Sequence, residues 1–316
     1  MGSGRWAPED YLKYATSTAG MSVDDRFDTK TRAALGKAPD PLDPLKVKLD
    51  AHGVRMRESR DSVDNPLSTP LIVALDVTGS MGMLADALAG EGLGTLFEEV
   101  LSRKPITDPH MMFMAIGDVR WDRAPLQVSQ FEADARIIEQ LTSIWLEKGG
   151  GGNNCESYDL PWYWAANHTA IDSMEKRNKK GYLFTVGDEE APSGLPASAI
   201  QKFLGDDIQS DVSAAEALAM AQRIYNVFHI VVEQGSHARS HIDRVMKSWT
   251  DLLGQNVIRL SDHKKLSEVI TSTIQVAEGE DPDAVSKSWS GDTSLVVARA
   301  VAGLAKSGSA GAVRRL

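Results

Sequence analysis

The residues best suited to chemistry in this sequence are a carboxylate and two hydroxyls at alternate positions, Asp76, Thr78 and Ser80. They follow an apolar, β-branched run, residues 70–75, which is typical of a strand buried on both faces. Residues 83–101, which follow, have the pattern of a helix. A strand that ends in such a loop and leads into a helix brings hard oxygen ligands and helix N-terminal N–H groups into one crevice. The motif therefore predicts a site for a divalent cation or for a phosphate group.

Two further loops carry polar side chains that could complete this site. One is the glycine-rich run of residues 148–156, which contains Asn153 and Asn154 and precedes a predicted helix. The other follows a predicted strand and contains Asp188. Ligands of open α/β sheets bind at the carboxyl ends of the strands, where the strand order reverses. Two carboxylates that meet there favour a bound cation because they otherwise repel each other, so we expect Asp76 and Asp188 to share a site if their strands are neighbours.

Alternating strand and helix patterns surround these loops. Strand patterns occur at residues 71–75, 111–116, 126–131, 182–186, 227–232 and 257–260. Helix patterns occur at residues 83–101, 133–146, 162–177, 214–225, 241–253 and 265–277. This alternation predicts an α/β fold with a doubly wound, mostly parallel six-stranded sheet and helices on both faces. The run 126–131 follows its neighbour too closely for a helical crossover, so we expect an antiparallel edge strand there.

The ends of the chain lack this alternation. We predict an N-terminal extension at residues 1–66 that wraps or docks on the main body, and a main domain at residues 67–279. Residues 280–316 read as a linker followed by a helical tail. Within the N-terminal extension, residues 9–19 and 28–35 could form short helices.

Composition and charge exclude several classes of function. The 316 residues carry a net charge of −10, which argues against binding to nucleic acid or to an anionic membrane because both require a basic face. Cys155 is the only cysteine, so the sequence offers neither an internal disulfide nor a thiolate metal cage. We find neither a secretory signal nor an apolar run long enough to cross a bilayer, and we therefore expect a cytoplasmic protein.

Taken together, the three loops resemble the metal-ion-dependent adhesion site (MIDAS) of von Willebrand factor type A (vWA) domains. That family carries an Asp-x-Ser/Thr-x-Ser motif, a later Gly-Gly-Thr loop, and an Asp after the next central strand. The first motif matches Asp76, Thr78 and Ser80. The resemblance covers about two-thirds of the chain, residues 69–279, and implies a vWA/Rossmann-like fold.

The other two motifs of the family are matched with departures. The last Asp matches Asp188, where the family usually reads Thr-Asp-Gly and this chain reads Val-Gly-Asp-Glu-Glu. The threonine of the Gly-Gly-Thr loop aligns with Asn153, which is followed by Asn154. An amide oxygen can replace a hydroxyl as a hard ligand, so either asparagine could face the ion.

The resemblance implies a non-enzymatic, divalent-metal-dependent protein–protein interaction module that acts as an adaptor. In that family hydroxyls and waters hold Mg²⁺, one Asp often acts through water, and one coordination position stays open. Because Mg²⁺ requires near-octahedral oxygen ligands, an incomplete site recruits an oxygen from elsewhere, commonly a carboxylate of a partner protein. Mn²⁺ and Ca²⁺ are alternatives to Mg²⁺. The implied partners are an AAA+ ATPase or an assembly subunit that supplies an acidic ligand.

An enzymatic alternative comes from the same loop, which also resembles the Asp-Lys-Thr-Gly-Thr loop of haloacid-dehalogenase-like phosphotransferases. By that resemblance Asp76 would be a nucleophile, Lys179 or Lys180 would neutralise phosphate charge, and Asp188 would hold Mg²⁺. Soluble phosphatases of that type, however, have a second Asp where Thr78 stands. The membrane pumps that share the threonine need transmembrane helices.

A third alternative is a structural role. The chain could be a subunit of a multi-protein or phage-like assembly, with residues 1–66 and 280–316 as docking segments and a vestigial metal site.

Other polar residues near these loops have ordinary structural explanations. Asp118 and Asp122 could lie on the rim of the site, but the preference of Asp for turns explains them equally well. Glu189 is expected to be solvated. His237 and His241 have the i, i+4 spacing of a metal pair but lack a third ligand nearby, so we expect them at the surface.

Overall fold

A six-stranded sheet forms the centre of the computed structural model, which describes residues 4–27, 49–146 and 155–304. In chain order the strands are β1 (Arg57–Ser59), β2 (Thr69–Asp76), β3 (Pro109–Ile116), β4 (Leu126–Val128), β5 (Thr169–Ile171), β6 (Gly181–Gly187), β7 (Gly194–Leu195), β8 (Val212–Ser213), β9 (Tyr225–Val232) and β10 (Val257–Leu260). The order across the central sheet is β10-β9-β6-β2-β3-β4, and β4 alone among these strands is antiparallel to its neighbour.

The helices cover both faces of this sheet. They are α1 (Pro8–Ser17), α2 (Val23–Arg26), α3 (Gly82–Ala87), α4 (Leu93–Arg103), α5 (Arg136–Thr142), α6 (Asp159–His168), α7 (Asp172–Arg177), α8 (Ala197–Leu204), α9 (Ala214–Ala221), α10 (Ser236–Leu253), α11 (Leu266–Ala277), α12 (Pro282–Lys287) and α13 (Gly291–Val301). A π-helical turn, Leu88–Gly92, joins α3 to α4. The predicted vWA/Rossmann-like α/β fold class is therefore confirmed.

The sequence of β2 explains why the sheet is covered on both sides. All eight residues of the strand are buried. Leu71, Val73 and Leu75 belong to one apolar core with α3, α4 and α11, whereas Ile72 and Ala74 belong to a second core with α6, α9 and α10. Successive side chains of a strand point to opposite faces, so a continuous apolar run supplies both cores at once.

Two predicted helices are interrupted. The predicted helix 83–101 contains the π turn, where the carbonyls of Gly90 and Gly92 accept hydrogen bonds from the hydroxyls of Tyr11 and Ser267. The predicted helix 162–177 is wrong as a single element, because Thr169–Ile171 leaves the helix to pair with β1. The remaining predicted helices are present with shifted ends, and the predicted edge strand 126–131 is regular only as far as Val128.

The described part of the N-terminal segment, residues 4–27, packs against the helices that follow β2. The indole of Trp6 stacks on the ring of Phe97 with 4.0 Å between ring centroids, and Arg26 forms an ion pair of 2.8 Å with Asp86. The predicted helix at residues 28–35 lies outside the described residues. Within the described ranges no helix has the length and apolar character needed to span a membrane.

A network of ion pairs fastens residues 57–68 to α7. Arg177 donates to both carboxylate oxygens of Asp61 at 2.7 and 3.1 Å, and the backbone N–H and hydroxyl of Ser68 donate to the same carboxylate. Asp172, at the start of α7, accepts from Arg60 at 2.9 Å and from the backbone N–H of Asp61 at 2.8 Å. Burial raises the pKa of Asp61, but the hydrogen bonds from Arg177 and Ser68 outweigh it and hold that pKa well below its usual range.

We predict that Asp61→Asn lowers the free energy of unfolding at neutral pH by about 2 kcal/mol, because Arg177 loses its charged partner. The lowered pKa of Asp61 means that its contribution is present above about pH 4 and is lost as the pH falls below that value. Urea denaturation across this range should show a steeper loss of stability in acid for the unaltered protein than for Asp61→Asn. Asp64→Asn, an exposed position in the same segment, is the matched control. Equal stability of Asp61→Asn and Asp64→Asn would contradict the prediction.

Candidate functional site

Asp76 is the last residue of β2, and its carboxylate is fully buried at the carboxyl edge of the sheet. One carboxylate oxygen, Oδ1, accepts from the backbone N–H of Thr78 at 2.9 Å and from its hydroxyl at 2.7 Å. The other oxygen, Oδ2, accepts from the hydroxyl of Tyr158 at 2.8 Å. Three donors therefore fix the orientation of the carboxylate, but none of them is a cation.

A second buried carboxylate, that of Glu156, lies next to Thr78. The hydroxyl oxygen of Thr78 is 3.2 Å from Oε1 of Glu156, while it also donates to Asp76. Since a hydroxyl carries one hydrogen, it cannot satisfy both carboxylates at once. The other oxygen of Glu156, Oε2, is buried and finds no hydrogen-bond partner in the described structure.

Asp188 directly follows β6, which is the parallel neighbour of β2. The strands that lead to Asp76 and Asp188 are therefore neighbours, as the sequence analysis required for a shared site. From β2 the chain continues to β3 on one side of this strand and later to β6 on the other. The strand order therefore reverses at β2, and the carboxyl end of this strand is where ligands of such sheets bind. Oδ2 of Asp188 accepts from the backbone N–H of His237 at 2.9 Å, in the first turn of α10. The carboxylate therefore caps that helix while it faces the site.

Burial and like charges set the electrostatics of Asp76. Burial, with a smaller contribution from the charge of Asp188, raises the pKa of Asp76 to about 7. The hydrogen bonds from Thr78 and Tyr158 lower the pKa but do not restore its usual value.

The pKa values of two glutamates show the same excess of negative charge. Burial raises the pKa of Glu156 to about 9, with further contributions from Asp76 and Glu189. Burial raises the pKa of Glu189 to about 8, with further contributions from Asp76 and Asp188. The charged groups that act most strongly on both glutamates are carboxylates. Such a cluster is destabilised by its own charge and would gain from a bound cation.

The predicted site residues fall into three groups. Asp76, Thr78 and Asp188 come together at one edge of the sheet. Ser80 lies in the 3₁₀ turn Gly79–Met81 that follows Thr78 directly. Asn153 and Asn154 lie outside the described residues, so the choice between them stays a prediction.

Sequence reasoning missed the contribution of Glu156 and Tyr158. Glu156 belongs to the same glycine-rich run as the predicted asparagines, so its place in that run was a usable signal. Tyr158 carried no signal, because only the packing of α6 against the sheet brings its hydroxyl to Asp76. The expectation that Glu189 is solvated was wrong, since its Oε2 is buried without a hydrogen-bond partner in the described structure. The expectation that His237 lies at the surface was also wrong, because its side chain is only 10% exposed, whereas His241 is exposed as expected.

Turn chemistry accounts for Asp118 and Asp122. The backbone N–H of Arg120 donates to Asp118 Oδ1 at 2.8 Å, and the backbone N–H of Asp118 donates to Asp122 Oδ2 at 2.7 Å. Cys155 offers no nucleophile, because burial and neighbouring carboxylates, Asp159 first, raise the pKa of its thiol to about 12.

These features fit a hard divalent cation held only partly by carboxylates. Among the described residues no three His, Cys, Asp or Glu side chains are placed to hold one ion directly. The oxygen ligands available at this end of the strands are instead the hydroxyl of Thr78 and the carboxylate of Asp76, with the unsatisfied oxygen of Glu156 nearby. Mg²⁺ suits such a donor set, since it binds through few protein oxygens and keeps several waters.

No protein-family profile matches the chain, and no curated protein matches it. Among solved structures it is similar to the pilus adhesin SpaC from Lactobacillus rhamnosus GG, with 10% identity and a TM-score of 0.40 over 69% of this chain and 31% of that one. Proximal thread matrix protein 1 from the mussel byssus gives 12% identity and a TM-score of 0.41 over 66% and 48%. A von Willebrand factor type A protein from Catenulispora acidiphila gives 14% identity and a TM-score of 0.37 over 68% and 43%. The chain thus spans less than half of each of these proteins. At such low similarity, the fold assignment rests on the strand order observed in this chain.

Close packing at Gly235 provides a test of the site geometry. A Cβ atom on this residue would overlap the carboxylate and Cβ of Asp188, although its φ of −61° suits any residue. We predict that Gly235→Ala displaces the Asp188 loop and lowers the free energy of unfolding by about 1–3 kcal/mol. Thermal and urea denaturation measure this change. Gly303→Ala, where a Cβ would meet open space, is the control, and equal stability of the two variants would show that the packing is not tight.

Proposed function

We propose that the chain is a divalent-metal-dependent protein–protein interaction module with its metal site at the carboxyl edge of β2 and β6. Thr78, Ser80, Asp76 and Asp188 would hold Mg²⁺, directly or through water, together with an asparagine from the loop that contains Asn153 and Asn154. The bound ion would neutralise the buried carboxylates and offer a coordination position to a carboxylate of a partner protein. The observation that carries the proposal is the buried, unsatisfied Glu156 carboxylate beside Asp76 and Thr78.

The placement of two lysines favours binding over phosphoryl transfer. Lys179 pairs with Glu278 at 3.3 Å, and Lys180 donates to the backbone oxygen of Gln222. Both lysines precede β6, whereas Asp76 ends the parallel strand β2. The lysines therefore lie at the opposite end of the strands from Asp76. This placement does not support the neutralisation of a phosphate on Asp76 that the phosphotransferase alternative requires.

The class of partner follows from the chemistry of the open position. A cation held by neutral hydroxyls and shared carboxylates keeps a positive field toward solvent and selects an anionic oxygen ligand. We propose a partner protein that supplies an acidic side chain, such as an AAA+ ATPase or an assembly subunit, in the cytoplasm.

Metal binding is tested directly by calorimetric titration and by thermal unfolding. We predict that Mg²⁺ stabilises the protein, by about 2.7 kcal/mol when its concentration is a hundredfold above its Kd. Asp76→Asn should abolish the binding while it keeps an acceptor for Thr78, unlike alanine, which would leave the Tyr158 hydroxyl without its partner. Asp251→Asn, at an exposed carboxylate on α10, is the control and should bind Mg²⁺ normally. Unchanged Mg²⁺ affinity in Asp76→Asn would refute the site.

Partner binding is tested by affinity capture from a lysate of the source organism. We predict that partner proteins are retained in Mg²⁺ and released by EDTA, because the ion bridges the two surfaces. Asp76→Asn should retain none of them, and Asp251→Asn should retain all of them. Retention that is indifferent to EDTA and to Asp76→Asn would argue against metal-dependent binding.

A further inference from the structure

The loop of residues 117–123 exposes a tryptophan beside the site. The side chain of Trp121 is 64% exposed, and Arg120 and Arg123 on either side of it are exposed as well. Asp118, by contrast, is buried and Asp122 is half-buried. Large aromatic side chains are normally covered and carboxylates normally solvated, so this turn reverses the usual arrangement. The two carboxylates accept from backbone N–H groups of the turn itself, while the indole of Trp121 lies open to solvent.

Hydrogen bonds within the turn fix the backbone conformation on both sides of Trp121. The carbonyl of Asp118 accepts from the backbone N–H groups of Trp121 at 3.2 Å and of Asp122 at 2.9 Å. The carboxylates of Asp118 and Asp122 accept from the backbone N–H groups of Arg120 and Asp118. The turn is therefore preorganised, and binding through Trp121 would not have to order it first.

The same loop is joined to the proposed metal site through Ser157. The backbone N–H of Ser157 donates to the carbonyl of Gly117 at 3.2 Å, and its hydroxyl accepts from the backbone N–H of Val119 at 3.1 Å. Ser157 directly follows Glu156, whose Oε1 is 3.2 Å from the Thr78 hydroxyl. The loop that carries Trp121 therefore adjoins the segment that carries Glu156, and it follows Ile116, the residue of β3 that is paired with Asp76.

We propose that Arg120, Trp121 and Arg123, here called the Trp121 surface, bind the residue next to the metal-bound carboxylate of the partner. This inference rests on the proposed function and specifies its ligand as a protein segment in which an acidic residue adjoins an apolar or aromatic residue. Trp and Arg are the residue types that most often dominate the binding energy of protein interfaces. The two arginines also offset the repulsion between an acidic segment and a chain of net charge −10.

Selection from a phage-displayed library of random peptides, in Mg²⁺ and in EDTA, tests this proposal. The unaltered protein should enrich, in Mg²⁺ only, peptides that carry an acidic residue next to an apolar or aromatic one. Trp121→Ala should still enrich acidic residues but without the apolar neighbour. It should bind a synthetic copy of the peptide selected by the unaltered protein about 30-fold more weakly. Leu295→Ala, at a 72% exposed apolar residue on α13, is the matched control and should bind that peptide normally.

The outcomes separate this inference from the function on which it rests. Acidic peptides without an apolar neighbour, or equal affinity of Trp121→Ala and the unaltered protein, would overturn the Trp121 surface and leave the metal-dependent module standing. A selection that yields no Mg²⁺-dependent peptide would overturn both. Peptides that need Trp121 but neither Mg²⁺ nor Asp76 would also overturn the proposal, because it places both contacts on one ligand. An unchanged melting temperature of Trp121→Ala confirms that the variant is folded.

Discussion

The structure depends on the burial of a carboxylate, that of Asp76, at the end of its central strand and among like charges. An unpaired buried charge costs several kcal/mol, so the surrounding chain has to compensate it. The protein supplies three hydrogen-bond donors, two from Thr78 and one from Tyr158, but it brings Glu156 and Asp188 close as well. Hydrogen bonds orient the charge without cancelling it. On the proposed function, a bound cation would relieve the remaining repulsion.

The aromatic core beneath the site holds the donor to Asp76 and adds no positive charge. Tyr158 packs edge-on against Trp249, and the imidazole of His229 stacks on that indole with 3.4 Å between ring centroids. Burial lowers the pKa of His229 well below its usual value, so this ring stays neutral under Asp76. The indole N–H of Trp249 donates to the carbonyl of Glu189 at 2.8 Å, which fastens the loop after β6 to α10. The aromatic core therefore packs the base of the site, and burial together with neighbouring carboxylates raises the pKa values of its acidic groups.

Local sequence predicted the strands because a parallel strand buried on both faces must be continuously apolar, as residues 71–75 are. It predicted Asp76, Thr78 and Asp188 as neighbours because strand ends in a parallel sheet share one edge. It could not predict the breaks at Leu88–Gly92 and Thr169–Ile171, since these depend on distant partners, Tyr11 and Ser267 for the first and β1 for the second. Glu189 was misjudged for the same reason, because the loop that carries it is held by a distant residue, Trp249, whose indole N–H donates to the Glu189 carbonyl.

On the proposed function, the metal requirement and the acidity of the partner have one electrostatic cause. Without an ion, the cluster of Asp76, Glu156 and Asp188 holds no positive group among its described hydrogen-bond partners, and the charge that its raised pKa values leave on it repels an acidic group. The exposed Arg120 and Arg123 cannot reverse it, since charges at the surface are screened by solvent and salt. A bound cation would neutralise most of this charge and would offer a positive centre at the position where the partner would coordinate. A partner without a carboxylate would gain nothing from that change, whereas an acidic partner is excluded until the ion is present. Metal dependence then provides selectivity as well as affinity.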